Sequence, residues 1–395
     1  MPLLAVLALV LFPVVLVGHA LTAAVLVLVG KGPVRWRLPR AWLFGMAYLA
    51  GETACLLACL GLWVRFVGRT QGARAQELHL AVLRRFLGAL VGLAGFTFRF
   101  RLEVHEPVTE PADRYHLTGA HPVIVLGRHA GPGASFVLVH LLMSRYGRFP
   151  RIVVTERLRL DPSVDVLLSR LGSRFIGRGG DVATAAVADL AAGLTAHDAL
   201  VLFPEGGDWT PTRHRAAVNR LRRGGLVAEA ARAEQMTHVL PPRPAGTVAA
   251  LAAAPDADVV VVGHTGHDNL QDLQSIWAGL PLRRELDVLW WREPASAVPT
   301  GEAEIGDWLV KLWQRIDTWI GEQDDLGEPL GLLRGDVQGV GVAGGGVGEL
   351  LKPMLARGDV RLLASTTNDG LRKIQERDPG LLRRFTMLTI DPATP

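Results

Sequence analysis

Residues 122–135 read Pro-Val-Ile-Val-Leu-Gly-Arg-His-Ala-Gly-Pro-Gly-Ala-Ser. An unbroken apolar run, Pro122 to Leu126, passes into a glycine- and proline-punctuated turn that carries His129. A short run of this kind with no polar alternation predicts a strand buried on both faces. Three more runs repeat the pattern downstream, Arg151 to Thr155, Ala199 to Phe203 and Val259 to Val262. Between them lie Ala/Leu-rich stretches such as 181–196 and 224–235, whose spacing predicts helices. Strands alternating with helices predict an α/β domain with a mostly parallel sheet. His129 and the stretch Phe203-Pro-Glu-Gly206 fall just after the first and third runs, where the loops of such sheets hold ligands.

Chemistry at a hydroxyl needs a base for its proton, cations to hold any anionic group on the substrate and donors for a developing oxyanion. An isolated histidine is more often a satisfied structural residue, so His129 is read together with the second block, 76 positions later. A Pro-containing turn at a strand end presents the Glu205 carboxylate and backbone N–H groups to a pocket. The stretch Leu171 to Gly180 adds Arg178, whose guanidinium suits bidentate phosphate recognition. The run His238-Val-Leu-Pro-Pro-Arg-Pro-Ala-Gly246 resembles the fourth block of the lysophosphatidate and lysocardiolipin acyltransferase branch, which implies that Pro242 shapes the acyl or acceptor channel; a structural proline is an equally good explanation.

These blocks resemble those of the glycerolipid, 1-acylglycerol-3-phosphate type, acyltransferases over about residues 85–320. The resemblance implies a glycerol-3-phosphate acyltransferase-like αβ domain in which His129 is the catalytic base. It implies that Arg178 binds the acceptor phosphate, and that Phe203, Pro204, Glu205 and Gly206 form a substrate-binding turn whose glutamate holds the headgroup. The reaction implied moves a fatty acyl group from acyl-CoA or acyl carrier protein to a lysophospholipid in phospholipid synthesis, with no cofactor and no metal. The chain departs from the pattern twice. The aspartate slot of H-x-x-x-x-D is Ala134, and Gly207-Asp208-Trp209 follows Gly206 in place of the commoner Thr-Arg-Ser. An incomplete dyad implies impaired turnover, or a non-catalytic relative that binds lipid or acyl thioester as a membrane scaffold. Asp181 and Asp208 are both near motif residues in sequence, and neither is favoured as a replacement.

Outside these blocks the chain is apolar: 49% of its 395 residues are hydrophobic and mean hydropathy is +0.25. Membrane association is the expectation. Residues 2–30 have the length and apolarity of one spanning helix, and residues 41–64, interrupted by Glu52, either span or lie re-entrant or interfacial. Arginines flank the second run on both sides, so charge does not orient it cleanly; an interfacial segment leaves both basic stretches, and the catalytic domain, cytoplasmic. Residues 75–95 have the mixed apolar and basic pattern of a surface helix. Cys55 and Cys59, on consecutive turns in apolar surroundings, read as a buried reduced pair. The net charge of +4 fits anionic lipid headgroups, and without a basic stripe or recognition motif nucleic acid is not an expected partner.

The division expected is a membrane anchor at 1–66, an acyltransferase domain at 67–320, a glycine-rich linker at 321–348 and a tail at 349–395. Within the tail, residues 351–368 and 378–385 resemble part of the AAA+ module of Clp-type unfoldases. The resemblance implies a polar sensor at Thr366 or Thr367, subunit-bridging Arg383 and Arg384, and an AAA+ partner. No G-x-x-x-x-G-K-[ST] loop occurs in the chain, so the tail is expected neither to bind nor to hydrolyse ATP by itself.

Overall fold

The computed structural model describes residues 17, 18, 21, 36–67, 69, 72–105, 121–131, 133–177, 180–268, 273–282 and 284–327. The first apolar run apart from three positions, the stretch around Arg178 and the whole AAA+-like tail lie outside the described residues.

Among the described residues the first long helices are α1 (Arg37–Arg65) and α2 (Ala73–Phe98). Seven strands follow: β1 (Leu102–His105), β2 (Val123–Gly127), β3 (Phe149–Thr155), β4 (Arg174–Ile176), β5 (Asp198–Leu202), β6 (Asp258–Thr265) and β7 (Leu286–Glu293). They form one sheet in the order β1-β7-β6-β2-β5-β3-β4, parallel throughout except between β6 and β7. All four apolar runs became strands, and every residue of β2, β5 and β6 is buried. β1, β4 and β7 had not been read from the sequence.

Complete burial of the central strands requires cover on both faces. On one face Ile124, Leu126, Val259 and Val261 pack with α5 (Asp181–Ala192), α6 (Pro211–Arg223), α7 (Val227–Gln235), α8 (Pro244–Ala253) and α10 (Glu302–Gly327). Their neighbours Val123, Val125, Val260 and Val262 point the other way, into a second core with α1, α2, α3 (Ala134–Ser144) and α4 (Pro162–Arg170). A short helix α9 (Leu273–Gly279) lies between β6 and β7. Residues 321–327, expected to begin the linker, instead continue α10. From β2 the chain moves to one side, through β3, β4 and β5, before β6 adds on the other. The ends of β2 are therefore a topological switch point, where open α/β sheets leave a crevice for ligands.

Both α1 and α2 are long and apolar enough to cross a membrane. One face of α1 is nevertheless committed to the domain. The Ser163 N–H donates to Glu52 Oε1 at 2.8 Å, its hydroxyl to the Glu52 carbonyl at 3.3 Å, and Arg170 Nη1 to the Cys59 carbonyl at 2.9 Å. Tyr48 donates to the Asp161 carboxylate, which also caps α4 through the Val164 N–H. Cys55 and Cys59 are buried free thiols on this same face. Leu49, Leu57, Leu60, Trp63 and Val64 on α1 are exposed. Glu52 is thus a docking residue. Glu52→Ala leaves the fully buried Ser163 N–H unpaired at a cost of about 1–3 kcal/mol. A melting temperature lowered by several degrees is the expected result, and an unchanged one would show that α1 does not depend on this contact.

Candidate functional site

His129 sits in the turn between β2 and α3, and its backbone is held at every polar atom. Its N–H donates to Glu205 Oε1 at 3.2 Å and its carbonyl accepts from the Trp209 N–H at 2.8 Å. Just before it, the Arg128 N–H donates to the Val262 carbonyl at 2.9 Å, continuing the pairing of β2 with β6. The Arg128 side chain, 1% exposed, donates to the carbonyls of His264 and His238 and pairs with Asp268. Beyond it the chain turns on Gly131, at φ +74°, where a Cβ would stand 2.9 Å from the His267 carbonyl oxygen. Only glycine fits that position without displacing backbone.

The imidazole tilts against Phe203, with ring centroids 4.8 Å apart. Its Nδ1 lies 2.5 Å from Asp208 Oδ1. By hydrogen-bond geometry Nδ1 has no partner among the described residues, so the contact with Asp208 is one of close approach. His129 holds the Asp208 carboxyl below the usual aspartate range, with Arg213 adding to the effect. Arg213 fixes the acid in turn, through Nη1 to the Asp208 carbonyl at 3.1 Å and to Oδ2 at 3.5 Å. Asp208 on Nδ1 leaves Nε2 as the nitrogen able to take a proton. Among the described residues Nε2 carries no hydrogen bond.

Ala134 is the first residue of α3, 9% exposed, and the carboxylate that reaches His129 comes from Asp208. Asp181, the other aspartate near the motifs, opens α5. Arg178 lies outside the described residues.

Glu205 also differs from expectation. It is 1% exposed, and both of its oxygens are occupied from within. Oε1 accepts from the His129 N–H and from Trp313 Nε1 at 3.3 Å, and Oε2 from the Leu240 N–H at 3.1 Å. Burial pushes its carboxyl up to about 7 against the opposing pull of Arg128 and these donors. No face of this carboxylate is presented to an acceptor headgroup. It joins the His129 turn to the 238–246 segment and to α10. Gly206, at φ +66°, and Pro204, whose carbonyl accepts from the Arg243 N–H at 2.9 Å, complete the turn. Arg128, Asp208, Arg213, Arg243 and Trp313 had not been read as site residues. Asp208 had been noted only as one of two aspartates near the motifs, and Trp313 lies 108 residues from Glu205.

Among the described residues one group has metal-ligand donors in reach of one another, Glu103, His105 and Asp287 on β1 and β7. His105 Nε2 and Asp287 Oδ1 are already paired at 2.8 Å, and the group belongs to the sheet edge.

Comparisons with known proteins find two kinds of likeness. The curated relatives it matches include the chloroplast chaperone ClpB3 of Arabidopsis thaliana, 47% identical over 60 residues, 15% of this chain and 6% of that protein. ClpB of Aquifex aeolicus is 45% identical over 60 residues, again 15% and 6%. ClpB 2 of a Nostoc species is 47% identical over 120 residues, 30% of this chain and 11% of that one. The chain thus spans about a tenth or less of the length of these relatives, the extent of a fragment. A family model described as Acyltransferase matches residues 101–250, the stretch that contains His129, Glu205 and Asp208, and the match supports acyl transfer as the chemistry of this domain.

Proposed function

We propose that the chain is a membrane-associated acyltransferase that moves a fatty acyl group from acyl-CoA or acyl carrier protein to the hydroxyl of a lysophospholipid such as 1-acyl-glycerol 3-phosphate, a step of phospholipid synthesis. The observation that carries the reading is the contact of His129 Nδ1 with Asp208 inside the region matched by the acyltransferase family model. His129 Nε2 takes the acceptor's hydroxyl proton as the oxygen bonds to the thioester carbonyl carbon. The C–S bond then breaks, and the leaving thiolate receives that proton. Asp208 keeps the proton-accepting nitrogen on the substrate side and stabilises the imidazolium formed in between. In this reading Glu205 positions His129 and does not bind the acceptor.

The alternative, a non-catalytic scaffold that binds lipid or acyl thioester, drew its support from Ala134. In the reading proposed, the Asp208 carboxylate takes the part that Ala134 cannot. The short likeness to ClpB chaperones supports a docking role for the tail toward an AAA+ partner, without an ATP site of its own. For location, the exposed apolar face of α1 opposite its docked face supports seating at a membrane surface, and the catalytic domain is proposed to lie on the cytoplasmic side. A helix crossing the bilayer would carry Tyr48, Glu52 and Cys59 away from α4.

Release of free thiol from an acyl thioester, measured with purified protein and a panel of lysolipids, tests the reading. His129→Ala should reduce release to the uncatalysed rate. Ala134→Asp should bring no gain, because His129 already has its acid. A gain of orders of magnitude would show instead that Asp208 is not serving.

A further inference from the structure

We propose that Glu103, His105 and Asp287 form a binding site for a divalent transition cation of the zinc class, which ties the edge strand β1 to β7. One donor atom from each residue, two carboxylate oxygens and an imidazole nitrogen, lies within 4.8 Å of the other two. The backbone brings them together. β1 and β7 pair in parallel with Glu103 opposite Asp287, and His105, two residues on, shares a sheet face with Glu103. Leu286 and Val288, on either side of Asp287, are buried in the core on the opposite face, with Leu102 and Val104 packed against it. The imidazole is steadied from α10, where Trp319 meets it edge-on with ring centroids 6.2 Å apart.

Two carboxylates at one place repel each other. Arg101, one step back on the same face, does not relieve them, because its guanidinium pairs with Glu285 at 3.3 Å. His105 Nε2 serves Asp287 at 2.8 Å, and among the described residues Glu103 has neither an ion pair nor a hydrogen bond. A divalent ion balances both carboxylates at once. The spacing also suits one: bonds of about 2.0–2.2 Å from an ion to nitrogen and oxygen, set at right angles, hold their ligand atoms about 2.8–3.1 Å apart. An imidazole ligand selects zinc, nickel or cobalt over magnesium and calcium, which take oxygen. On binding, Nε2 releases its proton to solvent and gives its lone pair to the ion. β1 is a four-residue strand paired only with β7, and His105 and Asp287 are 182 residues apart in the chain, so the ion is a cross-link. β7 and β6 stand between β1 and β2, which places its effect on stability and not on the chemistry at His129.

The test is calorimetric titration of the full-length protein in detergent, first stripped with a chelator, with zinc chloride. A saturable component of about one ion per chain is expected. His105→Ala, Asp287→Asn and Glu103→Gln should each weaken it about tenfold or more, since the loss even of a group that only orients a ligand costs about 10–100-fold. Glu285→Gln, one step along the same face and outside the donor group, should leave it unchanged. Zinc at about a hundredfold excess over its Kd should also raise the melting temperature of the parent by several degrees, and that of His105→Ala much less. Glu103 is exposed, so Glu103→Gln keeps the fold and decides the matter even if His105→Ala does not fold. No saturable zinc binding by the folded protein, equal binding by the parent and Glu103→Gln, displacement by excess Mg²⁺, or a melting temperature that zinc does not move would each overturn the proposal.

Discussion

Asp208→Asn should lower thioester turnover by about three to four orders of magnitude, while the KM for the lysolipid stays within about twofold. The change keeps shape and removes charge. Without the carboxylate, nothing favours the tautomer with its proton on Nδ1, and the imidazolium formed during acyl transfer loses its counter-ion. In serine hydrolases the corresponding change costs about 10⁴-fold. Asp208 is about half exposed, at 48%, so some of its effect is screened by water and the lower end of the range is expected. Arg213→Gln removes only the group that steadies Asp208 and should cost less. A decrease below tenfold for Asp208→Asn would mean that His129 works without an orienting acid, and the scaffold reading would regain its footing. The full loss with an unmoved KM would separate a group acting on the base from one binding the lipid.

The parts of this site that are local in the chain were legible in its sequence. His129 in a Gly-rich turn after an apolar run, and Pro204 and Glu205 after another, announce loops at strand ends, because strand burial and turn chemistry are written in consecutive residues. The missing aspartate was legible too, as Ala134. The replacement proposed for it was not: Asp208 comes near His129 because β2 and β5 are neighbours in the sheet, and two aspartates were equally near the motifs. Glu205 shows the same limit from the other side. The sequence supplies a carboxylate at a strand end, but whether it faces substrate or interior depends on Leu240 and Trp313, which come from elements 35 and 108 residues away. β7 escaped notice because Leu286-Asp-Val-Leu-Trp-Trp-Arg-Glu293 mixes charge and aromatics. It pairs antiparallel with β6 at one flank of the sheet, where Asp287, Arg292 and Glu293 stay half-buried, whereas every residue of β2 and β5 is buried. Glu52 weakened a spanning reading of the second apolar run, and the contact that explains it, Ser163, is 111 residues distant.

Glu205 provides the other large effect, and it falls on stability and on catalysis together. Glu205→Ala leaves three N–H donors, of His129, Leu240 and Trp313, without their acceptor in a dry interior. At about 1–3 kcal/mol each, the sum approaches the whole stability of an ordinary domain, about 5–15 kcal/mol, so this variant should be poorly folded. Glu205→Gln keeps one acceptor oxygen and should fold, which makes it the informative change. The parent carboxyl is pushed from its ordinary value of 4.5 up to about 7 in the fold. The folded state therefore binds the extra proton between those values, and this contribution to stability is complete below about 4.5 and is lost as pH rises through 7. The size is about 3 kcal/mol. His264, pushed down to about 4 by burial and by Arg128, acts oppositely between about 4 and 6.5, so the parent's pH profile alone decides nothing. The difference between parent and Glu205→Gln isolates the glutamate: the variant should lose relatively less stability from pH 4.5 to 7. In kinetics the same variant should lower kcat and leave the acceptor KM near its parent value, since the amide loosens the His129 turn without touching the lipid. A raised KM with normal kcat would place the carboxylate on the acceptor headgroup after all, and the buried-anchor account of Glu205 would have to be given up.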